Sequence, residues 1–191
     1  MGPGTCAVPS LNDPGELFGR VAPLVLDLGC GNGVFLAALA AREAESNCLG
    51  IEKKAYRVAQ TARRVRELCN ARVLHGEVTE LLRSFPAGCA ARVYLLFSDP
   101  WPKRRHSVRR LVQEDFASVL ERVVEQGGEF FFASDAEEYC ASARRTFASR
   151  GEWSTGSWET PEDWPRTEFE ERFRQAGLPL WRFKAVRGGN T

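Results

Sequence analysis

The chain has 191 residues and a formal net charge of +1, which is the size of one domain with a core of its own. Hydrophobic residues make up 43% and charged residues 27%, ordinary values that exclude a disordered or fibrous chain. No run approaches the roughly 20 apolar residues of a membrane helix, and Met1 to Asn12 lacks the basic start and apolar run of a secretory signal.

The six cysteines (Cys6, Cys30, Cys48, Cys69, Cys89 and Cys140) contain no C-x-x-C pair. No zinc site, other metal or disulfide framework is therefore expected, and a reducing cytoplasm is the expected location. The near-neutral total gives no sign of a nucleic-acid partner, so the distribution of charge has to decide.

Strand-like and helix-like segments alternate from residue 24 to residue 150, the pattern of βαβ units feeding a parallel sheet. Leu24 to Leu28 reads as a buried strand ended by glycines, and Val34 to Arg42 as the first crossover helix. Asn47 to Glu52 is a second strand, Ala55 to Cys69 a helix with a basic face, and Arg72 to His75 a third strand. Ala91 to Phe97 is a fourth strand, followed by a Pro-rich basic loop. Leu111 to Glu125 has helical apolar spacing and is expected to end at Gly127-Gly128, with a fifth strand at Glu129 to Ala133 and a helix from Ala136 to Arg150. After Gly151 the chain turns aromatic and irregular, with a short helix at Thr167 to Gln175 and a last strand at Leu178 to Val186. The expected organisation is an N-terminal arm over residues 1–23 and one α/β domain over residues 24–191, a mostly parallel sheet with helices on both faces.

Asp27-Leu28-Gly29-Cys30-Gly31-Asn32-Gly33 lies at the first strand-to-helix junction. Glycines there allow a tight turn and a close ligand approach that a Cβ would block. A dinucleotide fingerprint asks for glycine or alanine where this chain has Val34, which disfavours NAD or FAD. S-adenosylmethionine (AdoMet) carries no phosphate. It needs the turn, formed by Gly29 and Gly31, and a carboxylate such as Asp27 near its amino-acid end. Glu52, at the tip of the second strand, is placed to accept from two ribose hydroxyls, and Glu77, after the third strand, lies where an adenine amino group would sit.

The loop Phe97-Ser98-Asp99-Pro100-Trp101-Pro102-Lys103-Arg104-Arg105-His106 follows the fourth strand. Ligands of open α/β sheets bind beyond the carboxyl ends of the strands, which puts Asp99 beside the transferable methyl group as the candidate catalytic residue. Lys103, Arg104, Arg105, His106, Arg109 and Arg110 form the densest cationic cluster in the chain. Cations at the start of a helix oppose its macrodipole, so a phosphate-binding reading is preferred for Arg104, Arg105 and Arg109.

Asp99-Pro100-Trp101-Pro102-Lys103, with Arg104-Arg105-His106 and Arg109-Arg110-Leu111, resembles the D-P-W-x-K signature of the bacterial tRNA (guanine-N7-)-methyltransferases, whose fold is the Rossmann-like class I methyltransferase fold. Ala133-Ser134-Asp135 looks like the family's strand-tip aspartate, and Thr167-Glu168-Phe169-Glu170 is similar to its T-x-F-E motif. The resemblance implies AdoMet as cofactor, held by Asp27, Gly29, Glu52 and Glu77, and tRNA as partner. It also implies substrate contacts from Asp99, Lys103, Asp135, Thr167 and Glu170, and a guanine N7 in the variable loop as acceptor. Ser98, Glu168 and the pair Glu77-Val78 depart from the usual family residues, and the basic extension many members carry before the first strand is missing. An N-methyltransferase acting on a small heterocycle is the alternative. A monomer and a homodimer are equally compatible with the sequence.

Overall fold

A computed structural model describes residues 14–100 and 110–188. A short 3-10 turn at Pro14–Leu17 precedes seven strands and six helices: β1 (Leu24–Leu28), α1 (Val34–Arg42), β2 (Asn47–Glu52), α2 (Ala55–Val65), β3 (Ala71–His75), α3 (Val78–Ser84), β4 (Ala90–Leu96), α4 (Glu114–Val123), β5 (Val124–Ser134), α5 (Glu137–Ala148), β6 (Trp153–Gly156), α6 (Glu168–Gln175) and β7 (Trp181–Arg187). They form one sheet of order β3-β2-β1-β4-β5-β7-β6. The pairs from β3 to β5 are parallel, whereas β7 runs antiparallel between β5 and β6.

The order reverses at β1, which pairs with β2 on one side and β4 on the other. Such a switch point opens a crevice at the carboxyl ends of the strands, where these folds bind ligands. β1 and β2 are buried at every position, as expected of strands covered on both faces.

Alternation along the strands divides the core. Leu26, Leu28, Val93, Leu95, Phe130 and Phe132 pack with Phe116 and Leu120 of α4 and Phe147 of α5. Val25, Cys48, Tyr94 and Phe131 pack on the other face with Phe35, Leu36 and Leu39 of α1 and Val65 of α2. Trp158 and Trp164 cover that second face beyond α1, with Trp158 against Tyr94 and Phe131 at centroid distances of 6.2 and 5.1 Å. Trp158 and Trp164 thus do the work of a helix. Trp153 is buried against Phe147 on the first face.

Four expectations are corrected. The glycine pair Gly127-Gly128 lies inside β5, which begins at Val124 directly after α4. The β4–β5 register jumps between Ala90 and Arg92 at this point, a bulge that glycines tolerate. Gly127 has φ +79°, and a Cβ on Gly128 would sit 2.6 Å from Val124 Cγ1. The segment after Gly151 contains a strand, β6, rather than irregular chain alone. A helix, α3, follows β3. The basic helix α2 stops at Val65, short of Cys69.

The sheet's other end is closed by residues 14–23. Phe18 joins the core, Arg20 Nε donates to Asn47 Oδ1 at 2.7 Å, and Arg72 Nε donates to the Leu17 carbonyl at 3.1 Å.

Candidate active site

The glycine turn after β1 is built from three positive-φ glycines, Gly29 (+72°), Gly31 (+60°) and Gly33 (+77°). This left-handed region costs other residues about 1–2 kcal/mol. Gly33 also has no room for a side chain, since a Cβ would lie 2.6 Å from Thr61 Cγ2. Thr61, buried on α2, donates from Oγ1 to the Gly31 carbonyl at 3.0 Å. The Gly31 N–H donates to Glu52 Oε2 at 3.1 Å, and the Lys54 N–H to Glu52 Oε1 at 2.9 Å. Sequence reasoning missed Thr61; its signal was a lone small polar residue inside an otherwise basic helix.

Asp27 is the penultimate residue of β1 and is buried. Burial first, and then the nearby charge of Glu52, pushes its carboxyl up to about 7. Its Oδ2 has no hydrogen-bond partner among the described residues. A buried carboxylate oxygen in that position is a standing demand for a donor or a positive charge. Burial also pushes the neighbouring Cys30 thiol far up, which keeps it protonated.

Two cavities open at this end of the sheet. One, of about 300 Å³, is lined by Gly29, Glu52, Glu77, Leu95, Phe97, Ser98 and Asp99, among others. The second, of about 470 Å³, runs from Cys30, Gly31 and Asn32 to Thr167, Glu168 and Phe169 of α6. They share Gly29, Arg57 and Phe97. A further hollow, lined by Pro14, Arg20 and Asn47 among others, contains no candidate site residue.

The first cavity suits an adenosyl group joined to an ammonium-bearing chain. Glu52 offers carboxylate lone pairs at a strand tip, and the turn keeps side chains out of the way. Asp27 is buried and is not among the residues that line either cavity. Glu77 lines the same cavity while its Oε2 accepts from the Thr79 and Glu80 amides at 2.8 and 3.1 Å, capping α3.

Asp99 stands exposed on the wall of the first cavity. The backbone that delivers it is strained: Phe97 has φ +54°, a conformation uncommon outside glycine and concentrated at functional sites. The Phe97 N–H is held by the Ala133 carbonyl at 2.8 Å, and its ring packs on Phe169 at 5.0 Å. Next to Asp99, the Ser98 hydroxyl lies 3.3 Å from Tyr139 Oη, which also accepts from the Val112 N–H at 3.2 Å. Serine in this place is therefore tied to the far end of the loop.

Arg110 turns inward. It is only 6% exposed, donates to the Pro100 carbonyl at 2.8 Å and lies over the Tyr139 ring at 5.1 Å. It pins the base of the loop. Trp101, Lys103, Arg104, Arg105, His106 and Arg109 lie outside the described residues.

Thr167 caps α6, its Oγ1 accepting from the Glu170 N–H at 3.0 Å, and lines the second cavity. Glu170 turns inward: it is 6% exposed and its Oε1 is 3.1 Å from Arg182 Nη2. Arg182 in turn donates to Thr160 Oγ1 at 2.8 Å and lies over Trp158. Asp135 is half-buried just past the tip of β5, one strand over from the Asp99 loop.

A family described as "Putative methyltransferase" matches residues 21–183. A tRNA (guanine-N(7)-)-methyltransferase of Zymomonas mobilis is 33% identical over 177 residues, 88% of this chain and 77% of the relative. The enzyme of the same name from Exiguobacterium sibiricum is 36% identical over 173 residues, 86% of this chain and 80% of the relative. The chain belongs to the tRNA (guanine-N7-)-methyltransferase family.

Among solved structures, the antibiotic-resistance methyltransferase Kmr superposes with a TM-score of 0.62 at 20% identity over 92% of each chain. A 16S rRNA (adenine(1408)-N(1))-methyltransferase with cosubstrate SAM, from Catenulisporales acidiphilia, gives 0.62 at 16% identity over 91% of this chain and 89% of that one. These likenesses establish the Rossmann-like class I methyltransferase fold. No helix among the described residues is long and apolar enough to cross a membrane.

Proposed function

We propose that this chain transfers the methyl group of AdoMet to N7 of a guanine in tRNA, in the variable loop, and that it acts in the cytoplasm where tRNA is found. The observation that carries the reading is the pair of cavities meeting at Gly29, Arg57 and Phe97. One has the acids and the glycine turn for the cofactor, and the other has open space beside an exposed aromatic, Phe169.

Bound AdoMet supplies an electrophilic methyl on a positively charged sulfur. Asp27 carries the counter-charge for its amino-acid end, Glu52 holds the ribose, and Glu77 faces the adenine. Gly29 and Gly31 let the backbone come close. Guanine N7 has an in-plane lone pair and no proton to lose, so the protein needs no strong general base, and alignment is its main contribution. The base becomes cationic as it reacts, and the Asp99 carboxylate offsets that charge. Thr167 and Asp135 border the acceptor side, while Glu170 and Arg182 hold α6 in position. A loop base that is splayed from its neighbours stacks on aromatic rings at little cost, and Phe169 and Phe97 offer that surface. Lys103, Arg104, Arg105 and Arg109 attract the phosphate backbone.

The test is purified protein with methyl-labelled AdoMet and unmodified tRNA, followed by nuclease digestion. Label recovered as 7-methylguanosine supports the reading. Transfer to a low-molecular-weight heterocycle that survives ribonuclease treatment, with none to tRNA, overturns it.

A further inference from the structure

We propose that α2 is a second backbone-binding face for the RNA: Arg57, Arg63 and Arg64 take phosphodiesters of the strand leading into the cleft, across β1 from the Asp99 loop. This rests on the tRNA reading above and adds a surface to it.

The charge of the chain is close to balanced, yet it is sharply segregated. Between residues 53 and 66 lie Lys53, Lys54, Arg57, Arg63, Arg64 and Arg66, with no carboxylate. Lys53, Lys54, Arg63 and Arg64 are exposed, and Arg57 is half-buried. Among the described residues, Lys53, Lys54, Arg57, Arg63 and Arg64 form no ion pair, whereas Arg66 is paired with Glu67 at 2.9 Å. Several other arginines among the described residues are ion-paired, such as Arg42 with Asp163, Arg83 with Asp115, Arg92 with Glu43 and Arg150 with Glu121.

The placement is as specific as the charge. Arg57 borders both cavities. Arg64 donates from Nε to the Asn32 carbonyl of the glycine turn at 3.0 Å, which orients its remaining N–H groups at the cleft's rim. Asn32, Gln60, Arg63 and Arg64 line a shallow hollow of about 380 Å³, and Asn32 and Gln60 also line the second cavity. A cationic path therefore runs along α2 into the cleft. Arg57 and Arg64 are two helical turns apart, about 10 Å along the axis, so an extended strand meets a guanidinium at successive steps.

Helix stability alone does not account for this. Arg63 and Arg64 in the last turn favour the macrodipole, but Lys53 and Lys54 beside the first turn oppose it. Mutual repulsion along the whole segment is offset by a polyanion. RNA meets that need through guanidinium–phosphate contacts.

The test is the affinity of unmodified tRNA between about 50 and 200 mM salt. For Arg63→Gln/Arg64→Gln, the expected Kd rises about tenfold and the log–log salt slope falls by roughly 1.4–1.8, from ~0.7–0.9 per lost phosphate contact. Arg63→Gln alone, which leaves the Asn32 contact intact, gives about half of that change. Arg63→Lys/Arg64→Lys keeps the slope, because a point charge still neutralises a phosphate. AdoMet affinity stays at the wild-type value in Arg63→Gln, which leaves the glycine turn and its Arg64 contact intact and so checks the fold. Wild-type Kd and slope in the double glutamine variant overturn the proposal. A wild-type protein that binds AdoMet but shows no salt-dependent tRNA affinity overturns the tRNA reading and this one with it.

Discussion

Glu52 and Gly31 are joined by a hydrogen bond of 3.1 Å from the Gly31 amide to Glu52 Oε2, so the tip of the second strand braces the turn that follows the first. The same carboxylate is the ribose-binding candidate, which couples cofactor recognition to loop shape. For Glu52→Gln, one of the two backbone amides it holds faces an NH2 instead of an acceptor. AdoMet affinity is expected to fall by about tenfold or more, with a thermal midpoint lowered by a few degrees. Isothermal titration giving an unchanged Kd removes Glu52 from the cofactor site.

Asp27 predicts a pH dependence with a definite sign. Its carboxyl is raised from 3.8 to about 7 by burial, reinforced by Glu52. Between these values the folded chain keeps a proton that the unfolded chain releases. This contribution to stability is fully present below about pH 4 and is lost as pH rises through about 7. Asp27→Asn should therefore gain thermal stability over wild type at about pH 8, by an order of a few kcal/mol, and lose the slope between. In the native chain AdoMet binding should strengthen from about pH 6 to pH 8 as the carboxylate forms, and should release protons near neutrality. A pH-independent Kd in the wild type counts against Asp27 as the counter-charge.

Gly33→Ala combines a left-handed backbone with a collision against Thr61. A loss of about 2–4 kcal/mol is expected from the two effects together. Thr61→Ala in the same chain should recover part of it, because the clash is with the threonine side chain. A double-mutant cycle measured by denaturant unfolding checks the coupling.

Asp99→Ala should bind AdoMet within about twofold of wild type and lose about two to three orders of magnitude in single-turnover methylation. Normal single-turnover methylation by this variant removes the proposed role.

Arg182→Met leaves Glu170 buried without its cation. Breaking such a pair costs about 3 kcal/mol, and the wall formed by α6 should loosen. The thermal midpoint is the readout, together with KM for tRNA. Arg182→Met/Glu170→Gln should recover much of the loss.

Sequence periodicity made β1, α1 and β2 legible to the residue, because runs such as Leu24–Leu28 are buried throughout and bounded by glycines. Gly127-Gly128 misled for a physical reason: glycine ends helices and also forms bulges, and only the register against β4 distinguishes the two. β6 was hidden because Trp153–Gly156 is short and pairs with β7 alone, a partner more than 25 residues away. The glycine turn and its acids could be read from spacing. The inward turn of Glu170 and the burial of Arg110 could not, because both depend on distant partners, Arg182 and Tyr139.

The antiparallel insertion of β7 has a bearing on biosynthesis. Since β6 pairs with nothing but β7, and β5 is its other neighbour, a nascent chain lacking Trp181–Arg187 has an unfinished sheet margin. Glu170 would also lack Arg182, the anchor that seats α6 against the acceptor side. Catalytic competence should thus appear only once translation has delivered Trp181–Arg187.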